Sequence, residues 1–223
     1  MRFLTFISFF IILVCNKNEP KPIIYGYEYF PVSQGHYRVY NVVDIFHDEA
    51  LGAVHDTNYY QFKEVIAESL VDEEGDTIQK IRRYQRENDT LSWEIQEIWT
   101  QKRTATTAEV VEENDRMIKM VFAIAYNRNW NGNALNNEDA LNCYYENIYE
   151  PYDLPVFSFD STVIVEKENF LSVIDYRRQY EVYARHIGSV KKVFKHLEIN
   201  NSDTTDVIYG TEIFMELIEF GVE

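Results

Sequence analysis

Two His-Asp pairs, His47-Asp48 and His55-Asp56, flank a short segment around Gly52. Folded back as a hairpin, this segment sets the two histidines across from each other. Imidazole nitrogens and carboxylates would then face one divalent metal. The same residues also suit a solvated loop tip, and no HExxH, DxDxDG or CxxC pattern accompanies them. His36, His186 and His196 lie far off in sequence. His47 and His55 are therefore weak ligand candidates, and no metal is expected. The common catalytic signatures are also missing: no GxSxG elbow, no GxxxxGK(S/T) loop and no GxGxxG turn. Carboxylates abound, but no pair stands out at the roughly 5–10 Å spacing of a glycosidase. The sequence predicts a protein that is not an enzyme and holds no cofactor.

Aromatic side chains are the next chemical feature, with 17 Tyr, 14 Phe and 3 Trp. Trp93 and Trp99 fall on one side of the stretch LSWEIQEIWT. That side is either packed core or the wall of a cavity for an apolar ligand. Trp130 sits among amides and a glycine in NRNWNGN. It is a candidate loop contact for a sugar, or a ring folded back to plug one end of a sheet. The basic run QKIRRYQRE places Lys80, Arg82 and Arg86 on one strand face, where Glu64 and Glu68 are candidate cross-strand partners. Cys143 lies in an acidic stretch and reads as a small apolar residue.

The elements that must position these residues read as strands. Leu91, Trp93, Ile95 and Trp99 alternate with polar residues, as do Val207, Tyr209, Ile213, Met215 and Leu217. Ile118, Met120, Phe122 and Ile124 share one face, and Val163 and Val165 another. Polar separators at 71–77, 86–90 and 112–116 read as turns, and 47–56 as a longer hairpin tip. The segment 168–186 is compatible with a helix or a strand pair; the reading leans to strand, with a helical turn near Tyr183–His186. The fold class is all-β: an antiparallel meander forming a curved sheet or half-barrel, with at most a short helix. About 200 residues suffice for one core, so residues 25–223 are read as a single β-domain.

The N-terminus has its own logic. Arg2 precedes an apolar stretch, Phe3 to Val14, followed by Cys15 and the polar NKNEPKP. The stretch falls short of the about 20 residues of a membrane-spanning helix but suits the apolar h-region of a secretory signal. Ile12-Leu13-Val14-Cys15 resembles the lipobox of bacterial lipoproteins, with Val14 where that family prefers a small residue. The resemblance implies a signal peptide over 1–14, a lipidated Cys15 and a tether over 15–24. Diacylation would hold the protein on a membrane. YFPVSQGHYRVYNV and YEVYARHIGSVKKVF resemble the opening and closing strands of lipoproteins with lipocalin-like or half-barrel sheets. The mature chain is similar to the uncharacterised outer-membrane lipoproteins of Bacteroidota. That likeness implies a place on the outer membrane and a β-fold, and no catalytic residue.

Four Asp-Ser/Thr steps, at Thr77, Thr90, Ser161 and Thr204, resemble the O-glycosylation acceptor of exported Bacteroidota proteins. Asp-Thr is also common where turns enter strands. The net charge of −16 argues against nucleic acid, whose phosphates need clustered cations. The expected function is a non-enzymatic envelope lipoprotein acting as an accessory or binding module. Its expected partners are the membrane, through Cys15, and an envelope protein of unknown identity. A carrier of an apolar ligand is the alternative, and an envelope enzyme acting on glycans the more distant one.

Overall fold

The computed structural model describes residues 23–51 and 54–223. The leader, Cys15 and the tether up to residue 22 lie outside the described residues. Twelve strands form among those described: β1 (His36–Asp48), β2 (Val54–Val71), β3 (Thr77–Arg86), β4 (Glu94–Arg103), β5 (Thr107–Glu112) and β6 (Asp115–Val121). They continue as β7 (Asn129–Asn131), β8 (Asn142–Asp153), β9 (Ser158–Leu171), β10 (Asp175–Ala184), β11 (Gly188–Asn200) and β12 (Asp203–Val222). Two single 3-10 turns, Tyr27–Tyr29 and Glu49–Leu51, are the helical content among the described residues.

All twelve strands belong to one antiparallel sheet, ordered β6-β5-β4-β3-β2-β1-β12-β11-β10-β9-β8-β7. The chain is thus a meander in two halves, joined where β1 pairs with β12. The turn chemistry matches the sequence. Glu113-Asn114 and Asn201-Ser202 take positive φ at both residues, the signature of the two-residue hairpin turn whose twist suits flanking strands. The segment 168–186 is strand, turn and strand. No helical turn forms near Tyr183–His186; β10 runs to Ala184, and His186 sits in a tight turn at φ 64.

The sheet curls until its two edges nearly meet. The Ile118 N–H of β6 donates to the Gly132 carbonyl just past β7, at 2.8 Å. The Trp130 indole N–H donates to the Ile118 carbonyl at 3.0 Å. The Tyr145 hydroxyl accepts the Val121 N–H at 3.0 Å and donates to the Val121 carbonyl at 2.6 Å. These bonds satisfy edge groups that would otherwise invite another strand. The result is a nearly closed barrel.

Its core has two clusters. One gathers Tyr29, Phe30, Met120, Phe122, Tyr145, Val163 and Val165; the other gathers Tyr40, Val42, Phe62, Val182 and Leu217. Tyr29 is fully buried, and its hydroxyl meets Ser161 Oγ at 2.7 Å. Arg103 fixes the same N-terminal segment by donating to the Tyr27 and Phe30 carbonyls, both at 3.0 Å. Gly188 shows why the closing strand begins with glycine. Its φ is +93°, and a Cβ there would overlap the Arg38 guanidinium.

Register shifts interrupt the pairing of several neighbouring strands, among them β3 with β4, β5 with β6 and β9 with β10. A bulge bends its strand and re-aims a side chain. These three shifts bear directly on the site described next.

Candidate functional site

Side chains from β1 to β6 and from β10 to β12 converge on one cavity of about 70 Å³ inside the barrel. Seven charged side chains share its wall with apolar and aromatic ones. Arg38 and Glu64, paired across β1 and β2, meet at 3.0 Å. Arg83 of β3 approaches Glu64 at 3.4 Å and Glu97 at 2.7 Å. Lys119 of β6 pairs with Glu112 and lies 3.7 Å from Glu181 of β10. Glu181 also pairs with Lys167 of β9 and accepts the Tyr183 hydroxyl at 2.5 Å.

Both lysines stand at bulges. Ala108 faces Met120 and Glu109 faces Ile118, so Lys119 is the extra residue. Gln179 faces Glu168 and Tyr180 faces Glu166, so Lys167 is the extra residue there. The bulges account for their escape from strict alternation. Burial opposes the charge on Glu181, but Lys167, Lys119 and Lys192 outweigh it and hold the carboxyl well below the usual range. Glu112 is also lowered, chiefly by Lys119, against its own burial. Burial likewise opposes the Lys119 charge, yet Glu112 and Glu181 raise its pKa.

Trp99 lines this cavity, with the Arg83 guanidinium 3.3 Å from its ring centroid. Trp93 does not. It stacks instead with Arg86, at 4.2 Å. Arg83 and Arg86 are three residues apart and so point to opposite faces of β3. The expected common wall of Trp93 and Trp99 is corrected here. The pairing of β3 with β4 shifts register at Arg83/Tyr84, which breaks the period-two pattern between the two tryptophans. Ile95, expected to be buried with them, is 55% exposed.

His47 and His55 do face each other across β1 and β2, with their Nδ1 atoms 2.6 Å apart. At that distance one ring donates and the other accepts. The His47 Nε2 lies 3.0 Å from Glu212, which is held by Lys195 at 2.6 Å. Glu212 is thus on the far nitrogen of His47, away from His55. Asp48 accepts the Ala50 N–H at 3.1 Å. The pair offers two nitrogens, fewer than the three or four protein ligands of a zinc site. A second acidic group, Asp72, Glu74 and Asp76 in the β2–β3 turn, closes around the Lys102 ammonium. A lysine from β4 fills the place a metal ion would take.

Trp130 packs on Tyr145, with ring centroids 4.9 Å apart, and its N–H is already used by Ile118. Cys143 is free and buried, and burial pushes its thiol pKa up. Lys80 and Arg82 pair with Glu68 at 2.6 and 3.0 Å. Arg86 departs from that ladder and donates to Gln61 at 2.7 Å. Thr77 and Thr204 are exposed at strand entries and Thr90 is exposed in the turn before β4, whereas Ser161 is partly buried and bonded to Tyr29.

Reading the sequence singled out none of Arg83, Lys119, Lys167, Glu181 or Lys192. The available signal was a charged residue inside an otherwise apolar strand, as in RMIKMVFAI and STVIVEK. No family model and no curated protein matches the chain. Among solved structures, the chain is similar to a "putative exported protein with YmcC-like fold" from Bacteroides fragilis. The identity is 9% over 86% of this chain and 98% of that one, with a TM-score of 0.47. It is also similar to a "putative lipoprotein" from Parabacteroides distasonis, at 10% identity over 85% of this chain and 98% of that one, with a TM-score of 0.37.

Proposed function

We propose that the protein is a lipid-anchored module of the outer membrane that acts by binding and not by catalysis. The lipobox-like leader and Cys15 supply the anchor. The observation that supports binding is the inner wall. Its carboxylates are each engaged by a cation, which leaves no free carboxylate facing the cavity to act as acid or base. Carriage of an acyl chain fits poorly. The cavity holds about 70 Å³, against roughly 300–1,000 Å³ for an ordinary ligand pocket, and charge rings it.

Native mass spectrometry of the protein released from membranes tests this reading. The expected mass carries a diacylated Cys15 and no further lipid. The Cys15→Ala variant is expected in the soluble fraction or unprocessed. A stoichiometric lipid retained by that variant would replace the module with a carrier. Unmodified Cys15 in the native protein would end the anchor.

A further inference from the structure

The inner wall has more donors than it can satisfy. Four cations line the cavity: Arg38, Arg83, Lys119 and Lys192. Three carboxylates oppose them: Glu64, Glu112 and Glu181. With the partners behind the wall included, Glu97 on Arg83 and Lys167 on Glu181, five cations meet four carboxylates, which leaves one positive charge inside a chain whose net charge is −16. Every carboxylate is already taken.

Three donors remain. The Trp99 indole N–H is buried and meets no acceptor among the described residues. The Arg83 Nε–H is also buried and unpaired; Glu64 lies 3.4 Å from that nitrogen but outside hydrogen-bond alignment. Lys192, partly exposed at the cavity, has no carboxylate within 4.0 Å among the described residues. Buried donors without acceptors are costly, and an unbalanced cation in a low-dielectric cavity draws an anion. A cavity of about 70 Å³ holds a few waters, each needing at least about 10–15 Å³, or one compact anion.

We propose that this cavity binds a small oxyanion, a carboxylate or a phosphate, held by Lys192, the Arg83 Nε–H and the Trp99 indole N–H. The proposal rests on the binding-module reading and names the ligand class of that module. Charge-assisted hydrogen bonds from ammonium and guanidinium suit such a group. The indole N–H adds a donor that a chloride ion would use less well than an oxygen.

The test is calorimetric titration of the full-length protein in detergent, first with inorganic phosphate and then with acetate, at constant ionic strength in sodium chloride. At least one of the two is expected to bind saturably at one site and to change the tryptophan fluorescence. Phosphate binding alone identifies an inorganic or ester phosphate, and acetate binding alone a carboxylate. Lys192→Gln is expected to weaken binding at least about tenfold, the scale of one lost charge-assisted contact. Trp99→Phe is expected to weaken it less and to abolish the fluorescence change. Lys80→Gln, on the Glu68 ladder, is expected to change nothing. Far-UV circular dichroism must match wild type for each variant. No binding of either anion at millimolar concentration would overturn the oxyanion site. So would binding that Lys192→Gln and Trp99→Phe leave intact. Neither result touches the module itself, which stands or falls on the lipid measurement.

Discussion

Glu166 and Glu181 lie on neighbouring strands, β9 and β10, and both are buried. Their carboxyls respond in opposite directions. Glu181 faces Lys167 and Lys119, with Lys192 nearby, and stays ionised well below the usual range despite its burial. Glu166 has one cation, Arg178 at 3.0 Å, and the neighbouring Glu146 adds negative charge. Burial pushes its pKa up to about 7. Burial sets the penalty in both places, and the number of cations decides the outcome. Bulges deliver Lys119 to the inner wall and Lys167 behind Glu181, and these two lysines keep Glu181 ionised.

The largest expected effect comes from breaking the inner cluster. Glu181→Leu removes the shared partner of Lys167 and Lys119 and leaves buried ammonium groups uncompensated. It is expected to cost about 3–5 kcal/mol, as for one partner of a buried pair, read as a drop in the denaturant midpoint. A cost near zero would mean that the cluster is neutralised in some other way. Trp99→Ala is expected to cost a similar amount, about 3–5 kcal/mol, for loss of a packed aromatic.

The opposite change at Glu166 is smaller and has the opposite sign. The folded state holds the Glu166 proton up to pH about 7, while the unfolded chain releases it near the ordinary glutamate value of 4.5. This contribution to stability is complete below pH 4.5 and is lost as pH rises through about 7. Glu166→Gln keeps a neutral side chain at every pH. It is expected to stabilise the protein by about 1–3 kcal/mol at pH 8, with no gain at pH 4. For Glu181 the lowered pKa gives stability that is present above the usual carboxylate pKa and is lost as pH falls through the folded value. Thermal melts of wild type and Glu166→Gln across pH 4–8 check this; equal gains at both ends would contradict it.

Much of the sheet was legible in the sequence. Alternation marks a strand's wet and dry faces, and the polar separators at 71–77 and 112–116 became turns between β2 and β3 and between β5 and β6. The hairpin at 47–56 was also legible, down to the facing histidines. The inner wall was not. Lys119 and Lys167 are inserted residues at bulges, and period-two reasoning has no term for an inserted residue. The Lys102 cradle joins a turn to a strand some thirty residues on, a pairing that local pattern does not encode. The fate of the two tryptophans failed to show for the same reason as the lysines, a register shift within β4.

Those tryptophans repeat the comparison on a smaller scale. Arg83 and Trp99 stack on the cavity wall, and Arg86 and Trp93 stack away from it. Trp93→Ala is expected to cost about 1 kcal/mol, the worth of a partly exposed cation–π contact with Arg86. A cost equal to that of Trp99→Ala would put Trp93 in the core after all.

Side-chain carboxyl NMR of glutamate labelled with carbon-13, followed over pH 3–9 in wild type with assignments from Glu166→Gln and Glu181→Gln, tests most directly whether cation number sets the charge of the inner wall. The account predicts that the Glu166 signal titrates with a midpoint near 7 and that the Glu181 signal stays at its ionised position until the protein unfolds in acid. Titration of both carboxyls together near the ordinary glutamate value would contradict it.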